Sequence, residues 1–152
     1  MQSLRTLAGL MLVGFISIST THAASDIPES LNLKGGFVVH LGCGDGNLTL
    51  SLRPNSRFQV HGLDANPANV AKARATAKAA GVYGPVSIDQ LRGARLPYID
   101  GMVNLLVAEN LGRVPMAEVM RVLAPEGIAY IRSGGEWKAT TKPRPKNIDD
   151  WT

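Results

Sequence analysis

The chain has 152 residues, a net charge of +4 and the composition of one folded domain. Hydrophobic residues make up 45% of it and charged residues 18%, which excludes a collagen-like or wholly disordered chain. The length leaves no room for two separate hydrophobic cores. Its one cysteine, Cys43, excludes an intrachain disulfide, so burial of apolar side chains must stabilise the fold.

Residues 1–23 have the pattern of a secretory signal peptide. Arg5 supplies a positive charge, residues 7–18 are mostly apolar, and the small residues before the expected cleavage site end at Ala23. We therefore expect cleavage after Ala23 and export to the periplasm or the extracellular space. The apolar run is shorter than the roughly 20 residues that span a membrane, so we expect no transmembrane span after cleavage. An uncleaved anchor and a misassigned start codon are the alternatives.

The rest of the chain alternates predicted strands and helices. After a leading segment at residues 24–34, apolar runs predict five buried strands at 36–41, 58–63, 82–88, 102–108 and 127–131. Helices are predicted at 47–52, 67–80 and 115–123. Asn66 can cap the second helix, Pro67 suits its first position and Gly81 ends it. This alternation predicts an α/β fold with parallel strands and right-handed crossovers.

Beyond residue 131 the sequence predicts no further strand. Residues 134–152 contain prolines and a cluster of basic residues, Lys138, Lys142, Arg144 and Lys146. A basic tail of this kind is predicted to be a solvated linker, and binding to nucleic acid is not expected. We interpret the chain as a fragment, and we expect an uncovered edge at the fifth strand to favour pairing with another chain.

A glycine-rich turn at residues 42–46 and the acid Asp64 follow the first two predicted strands. Glycine lets backbone N–H groups approach a ligand, although the turn alone is also consistent with a plain strand-to-helix connection. Asp64 lies where strand ends form the ligand crevice of an open α/β sheet, and its carboxylate can accept ribose hydroxyls there. By itself Asp64 is equally consistent with a surface residue or a helix cap. Together the two features predict a nucleoside site.

The glycine spacing argues against a dinucleotide. The Gly-x-Gly-x-x-Gly fingerprint requires a glycine at the sixth position counted from Gly42, which is Asn47, whereas the third glycine comes one residue early at Gly46. The spacing therefore favours a nucleoside ligand without a pyrophosphate, with an amino-acid group over the turn.

These motifs resemble, in order and spacing, those of the class I S-adenosylmethionine (SAM)-dependent methyltransferases, in particular the methyltransferase type 11-like domains. The resemblance rests on segments 38–46, 62–66, 96–98, 103–107 and 119–127 within a domain at residues 35–133. It implies a Rossmann-like, mainly parallel sheet in the order 3-2-1-4-5 with helices on both faces. The last two strands of the full methyltransferase fold are expected to be missing.

The resemblance also implies SAM as the cofactor and an unidentified methyl acceptor as the partner. The cofactor-binding residues that it implies are Gly42, Cys43, Gly44, Gly46, Asp64, Ala65 and Asp89. Leu123, Pro125 and Gly127 match the Leu-x-Pro-x-Gly turn before strand five. Methyl transfer is an in-line displacement in which positioning can supply much of the acceleration, so no catalytic residue and no metal are assigned.

Three positions depart from the family pattern. His40 stands where an acid often precedes the first glycine, Arg92 where an adenine-contacting acid is common, and Asn104 where strand four often has an acid. We interpret His40 and His61 as structural residues because each lies within or beside a predicted strand.

The sequence leaves two functions open. The first is a SAM-dependent methyltransferase, in which Glu109 and Asn110 either contact the acceptor or belong to a plain polar loop. The second is a non-catalytic, degenerate Rossmann-like scaffold or nucleoside-binding module. SAM is made in the cytosol, so an exported chain would be separated from the cofactor that catalysis requires. Segment 134–151 also resembles the joint between a methyltransferase-like domain and a quinoprotein-type β-propeller in exported bacterial proteins, so such a C-terminal domain is expected beyond this chain.

Overall fold

A computed structural model describes residues 27–145 as a six-stranded sheet flanked by helices. The predicted signal peptide at residues 1–23 and the end of the basic tail, with Lys146, lie outside the described residues. Between residues 27 and 145 no helix is long and apolar enough to cross a membrane.

The elements follow one another along the chain as the alternating pattern predicts. The strands are β1 (Gly36–Leu41), β2 (Phe58–Asp64), β3 (Val86–Gln90), β4 (Val103–Ala108), β5 (Leu123–Ser133) and β6 (Glu136–Thr141). The helices are α1 (Ile27–Ser30), α2 (Asn47–Ser51), α3 (Pro67–Ala79) and α4 (Met116–Val122). The cap predicted for α3 is confirmed, because the Asn66 side chain accepts a hydrogen bond from the backbone N–H of Ala68 at 2.9 Å.

The sheet has the strand order β3-β2-β1-β4-β5-β6, and its first five strands are parallel. The predicted order 3-2-1-4-5 of a Rossmann-like fold is therefore confirmed. The crossovers run in one direction from β1 through β3 and in the other from β4 onward. This reversal places the carboxyl ends of β1 and β4 beside each other at the position where open α/β sheets bind ligands.

Helices cover both faces of the sheet, as predicted. On one face Val39 and Leu106 belong to the same apolar cluster as Val119 of α4. On the other face Leu105 clusters with Leu52 at the end of α2, and the residues of α3 join the separate cluster Cys43, Val70, Ala73, Ala77 and Ile88. Neighbouring residues of a strand point to opposite faces, so a strand buried on both faces needs the continuous apolar runs seen in the sequence.

The prediction that no strand follows β5 is wrong. Strand β6 pairs antiparallel with β5 through a two-residue hairpin loop, Gly134-Gly135, in which both φ angles are positive. Its side chains are nearly all exposed, so it lacks the apolar alternation of a buried strand. The Tyr130 and Trp137 rings stack with their centroids 5.0 Å apart, and this contact helps to fix the hairpin. The expected uncovered edge at β5 is therefore also wrong.

The basic tail begins as an ordered part of the domain. The Lys142 ammonium group donates a hydrogen bond to the backbone oxygen of Leu123 at 2.6 Å, just after the end of α4. A cation there interacts favourably with the carbonyl groups at the helix end. Lys142 thus has a structural role, whereas the sequence alone predicted a solvated linker for the whole segment.

Two predicted strand boundaries shift for local reasons. The third strand was predicted at residues 82–88 and begins at Val86, because the N–H of Val82 instead bonds to the oxygen of Ala77 and closes the end of α3. The fifth was predicted at residues 127–131 and extends from Leu123 to Ser133, with a register shift between its first and later pairs with β4. The predicted turn before strand five therefore forms an irregularity within β5.

Candidate cofactor-binding site

A cleft of about 520 Å³ opens at the carboxyl ends of the parallel strands. Its walls come from the end of β1, the end of β2 and the loops that follow β3 and β4: Leu41, Gly42, Leu63, Asp64, Ala65, Leu91, Gly93, Asn110, Leu111, Gly112 and Arg113. Three of the residues predicted to bind the cofactor therefore line one cavity, namely Gly42, Asp64 and Ala65.

The glycine turn is held against β2 by its own backbone. The N–H groups of Gly42 and Cys43 both donate to the oxygen of Leu63, at 2.7 and 3.1 Å. Gly42 and Gly44 have φ angles of +79° and +54°, and a Cβ added to either would meet no atom within 4 Å. The turn therefore needs glycine for its backbone conformation and presents an open surface beside the cleft.

The third glycine of the turn has a different environment. Gly46 has a φ angle of +87°, and a Cβ at this position would lie 2.9 Å from the Cα of Ala73. Glycine here permits the close approach of α3. The contact of Gly46 with the cofactor stays a prediction.

Asp64 connects the turn to the start of α3. Only 8% of it is exposed. Its Oδ2 accepts hydrogen bonds from the N–H of Gly44 at 2.9 Å and from the Asn69 amide at 3.2 Å, and its Oδ1 accepts from the N–H of Asn66 at 2.8 Å. A carboxylate oxygen accepts about two hydrogen bonds, so Oδ1 keeps one position for a ligand hydroxyl.

Cys43 is part of the turn, and its side chain packs in the apolar cluster that includes Ala73. Burial, and then the charge of Asp64, raise the pKa of its thiol to about 11, so the thiol is protonated at neutral pH. The side chain is 3% exposed and packs in the core. Its predicted cofactor contact stays a prediction.

His40 is buried behind the same turn and joins β1 to α2. Its Nδ1 lies 2.8 Å from Oγ1 of Thr49, while its Nε2 has no hydrogen-bond partner among residues 27–145. Burial lowers the pKa of His40 to about 4, against the opposing effect of Asp64. At neutral pH the position that often carries an acid in related sequences is therefore uncharged here.

Asp89 faces a neighbouring cleft of about 430 Å³ and is absent from the walls of the first cleft. Its carboxylate accepts a hydrogen bond from Arg74 at 2.6 Å and lies 3.1 Å from Nε2 of His61. Arg92 lines this second cleft as well. The predicted contact between Asp89 and the cofactor stays a prediction.

Residues 38–127 match the family model of a methyltransferase domain. The chain belongs to this family. SAM, the cofactor that the resemblance to this family implied, is confirmed by this membership. A comparison with curated proteins finds no match.

Solved structures with the same fold include proteins of different activities. One, from Methanococcus maripaludis, is provisionally assigned as a SAM-dependent methyltransferase (23% identity, TM-score 0.64, 71% of this chain and 52% of that one). The [4+2]-cyclase SpnF matches at 27% identity and TM-score 0.63 over 70% of this chain and 42% of its own. Geranyl diphosphate C-methyltransferase from Streptomyces coelicolor A3(2), solved with S-adenosyl-L-homocysteine (SAH), matches at 17% identity and TM-score 0.62 over 70% and 43%. The chain thus spans about half the length of these proteins.

The other positions that depart from the family pattern, or were candidates for acceptor contact, lie in distinct places. Asn104 is at the start of β4, where its Oδ1 accepts a hydrogen bond from the N–H of Phe37 at 2.8 Å. Asn110 lines the cleft, and its side chain accepts from the N–H of Gly112. Glu109 is absent from the cleft walls and lies 3.9 Å from Arg132. The structure therefore brings Asn110 to the cofactor cleft and leaves Glu109 beside it.

A series of side-chain hydrogen bonds, which the sequence did not predict, stabilises the loop after β3. The Tyr98 hydroxyl lies 2.7 Å from Nδ1 of His61, and His61 in turn contacts Asp89. Burial raises the pKa of Tyr98, so the hydroxyl stays protonated and can donate to His61. Because the loop supplies Leu91 and Gly93 to the cleft, these hydrogen bonds help to position one wall of the site.

Arg121 of α4 binds the later part of the same loop, at Tyr98 and Asp100. Its guanidinium donates to the carboxylates of Glu118 and Asp100 at 2.7 and 2.6 Å, and to the backbone oxygen of Tyr98 at 3.0 Å. The hydrogen bond from Arg121 lowers the pKa of Glu118 to about 2. In the sequence this loop is marked only by the Leu-Pro-Tyr motif at residues 96–98, and that motif does not indicate that Arg121 binds the loop.

We expect alanine to destabilise the chain more at Gly46 than at Gly42, and to weaken cofactor binding at Gly42 only. Gly46→Ala adds a methyl group 2.9 Å from the Cα of Ala73 and strains a positive φ, so we expect a loss of about 3 kcal/mol in the free energy of unfolding. Gly42→Ala meets no atom, so backbone strain alone should cost about 1 kcal/mol. Urea denaturation of both variants tests this difference.

SAH titration of the same two variants provides the control. The Gly42 methyl group lies at the cleft, so Gly42→Ala is expected to weaken SAH binding, whereas folded Gly46→Ala is expected to retain it. Equal losses of stability in the two variants would contradict the different environments of the two glycines.

Proposed function

We propose that this chain is a SAM-dependent methyltransferase that binds SAM in the cleft of about 520 Å³ at the carboxyl ends of the strands. The observation that carries the proposal is that the open backbone at Gly42 and the unfilled acceptor position of Asp64 lie on the walls of one cavity. The acceptor of the methyl group is unidentified.

The residues present fit the chemical groups of SAM. Oδ1 of Asp64 would accept a hydrogen bond from a ribose hydroxyl, and the missing side chain at Gly42 would let the amino-acid part approach the turn. Leu63, Leu91 and Leu111 give apolar walls that suit an adenine ring. The volume lies within the range of about 300 to 1,000 Å³ typical of small-molecule sites.

When bound, SAM supplies an electrophilic methyl group on a sulfonium. The chain contributes binding and orientation, because an in-line displacement at this carbon is accelerated mainly by holding donor and acceptor in a reactive arrangement. Strand β1 lies between β2, which ends in Asp64, and β4. The loop after β4 therefore forms the wall of the cleft on the far side of β1 from Asp64. Asn110 lines the cleft from this loop, and we propose that its polar side chain orients the acceptor.

The test is formation of SAH from SAM by the purified chain, measured by mass spectrometry over a panel of small-molecule and protein acceptors. We expect SAH to form with at least one acceptor and not in the Asp64→Ala variant. SAM binding without turnover on any acceptor would favour the second candidate function, and no binding by the folded chain would contradict both the enzyme and the cofactor site.

The second candidate is a non-catalytic, degenerate Rossmann-like scaffold or nucleoside-binding module. The uncharged His40 behind the turn, at a position that often carries an acid, supports it. The match to a protein described as a [4+2]-cyclase shows that the shared fold does not fix the reaction. Turnover separates this candidate from the methyltransferase, because neither a scaffold nor a nucleoside-binding module forms SAH from SAM. SAH affinity in Asp64→Ala then separates a nucleoside-binding module, which needs the acceptor position of Asp64, from a scaffold, which does not.

We also propose that the chain is exported. The support is the pattern of residues 1–23, with Arg5 before an apolar run and small residues up to Ala23. Mass determination of the chain recovered from an exporting bacterial host is expected to show a new N-terminus at Ala24, and an intact N-terminus inside the cell would contradict this.

A further inference from the structure

Arg113 is a basic residue in the loop after β4 that lines the cofactor cleft. It is the only basic residue on the described walls of the cofactor cleft. It is exposed and forms no hydrogen bond or ion pair with residues 27–145. Arg74 and Arg121, by contrast, are each fixed by a carboxylate at 2.6 Å.

Arg113 and Asp64 lie at opposite sides of the cleft. Asp64 ends β2, the turn at Gly42 follows β1, and Arg113 belongs to the loop after β4. These three strands are consecutive neighbours in the sheet, and adjacent strands are about 4.8 Å apart. A ligand whose ribose is at Asp64 and whose chain passes over Gly42 therefore runs toward Arg113.

We propose that Arg113 binds the carboxylate of the amino-acid part of SAM. The inference rests on the proposed function, because it concerns the same cleft. The carboxylate is the one anionic group of SAM, and a guanidinium group matches a carboxylate with two parallel hydrogen bonds. No other cationic side chain on the described cleft walls competes for this role.

The charges around the turn support the same assignment. Among residues 27–145, Asp64 is the one acidic side chain on the cleft walls, and three of its acceptor positions are filled by the protein. His40 behind the turn is uncharged at neutral pH because burial lowers its pKa to about 4. The cleft therefore has one negative end and one positive end, which suits a ligand with its hydroxyls at one end and a carboxylate at the other.

The alternative is that Arg113 recognises an anionic methyl acceptor. The observations favour SAM, because Arg113 lines the same cavity as Gly42 and Asp64, so a ligand that spans those residues meets Arg113 before any acceptor binds. The two assignments differ in one measurable property, namely whether Arg113 contributes to binding when no acceptor is present.

The test is calorimetric titration of the wild-type chain and Arg113→Ala with SAH and with S-adenosyl-3-thiopropylamine, the analogue that keeps the amine but lacks the carboxylate. We expect Arg113→Ala to weaken SAH binding about tenfold or more, as for a hydrogen bond between charged groups. Binding of the analogue should change less than twofold. Arg113→Lys keeps the charge without the planar fork and should give an intermediate loss for SAH.

Arg57→Ala is the matched control. The Arg57 side chain is also exposed and without a partner in the described part of the chain, but Arg57 precedes β2 at the other end of the strands and lines neither cleft, so its loss should leave both affinities unchanged. Unchanged SAH affinity in Arg113→Ala, or an equal loss for SAH and the analogue, would overturn the inference. A folded wild-type chain that binds neither ligand would instead refute the proposed function, and the inference would fall with it.

Discussion

Replacing Asp64 with alanine is expected to weaken SAH binding at least about 100-fold. The variant loses the ribose acceptor at Oδ1 and also the carboxylate that receives the N–H groups of Gly44 and Asn66. Each hydrogen bond to a charged group contributes about 1.5–3 kcal/mol, so loss of the ligand contact together with loosening of the turn accounts for this effect. Isothermal titration calorimetry on wild type and variant measures it directly.

Matched acidic variants separate a local effect from a general loss of charge. Glu136→Ala removes an exposed carboxylate of β6, outside the cleft walls, and should change SAH affinity less than threefold. Asp89→Ala tests the predicted contact between Asp89 and the cofactor, because a loss comparable to that of Asp64→Ala would support it and unchanged affinity would contradict it. If Asp64→Ala binds SAH like wild type while folded, the ribose site lies elsewhere.

Lowering the pH from 7 to 4 is expected to reduce the free energy of unfolding by about 3 kcal/mol through His40. Burial lowers the pKa of His40 from 6.5 to about 4 in the folded chain. Between these two values the unfolded chain binds the proton and the folded chain does not, so stability falls as the pH falls. A difference of one pKa unit corresponds to about 1.4 kcal/mol, which gives the expected size.

Urea denaturation of wild type and His40→Gln across this pH range tests the assignment. The glutamine variant does not titrate and should lose most of the slope between pH 6.5 and 4.5. Glu118, whose pKa is lowered to about 2, acts at more acidic pH, where stability is lost as it becomes protonated. An unchanged slope in His40→Gln would contradict the account of this residue.

The central sheet was predictable because its signals are local. Continuous apolar runs mark strands buried on both faces, and the cap at Asn66 with Pro67 marks the start of α3. Parallel strands end at one edge of the sheet, so placing Gly42 and Asp64 after successive strands was enough to predict that they share a cleft.

The features that were missed depend on contacts between distant residues. Strand β6 has exposed side chains and is held by backbone pairing with β5 and by the Tyr130–Trp137 stack, so no apolar pattern marks it. The contact between His61 and Tyr98 joins a strand to a loop and has no sequence motif. Arg113 likewise belongs to no motif, and only the fold places it opposite Asp64.

The most direct test of the central claim is amide chemical-shift mapping of the ¹⁵N-labelled chain during titration with SAH. The account predicts saturable shifts at Gly42, Gly44, Ala65 and Leu111, which lie in or beside the cleft, and little change at Lys138 in β6. No saturable shifts at millimolar SAH, or shifts confined to residues outside the cleft, would contradict the claim that this cavity binds the cofactor.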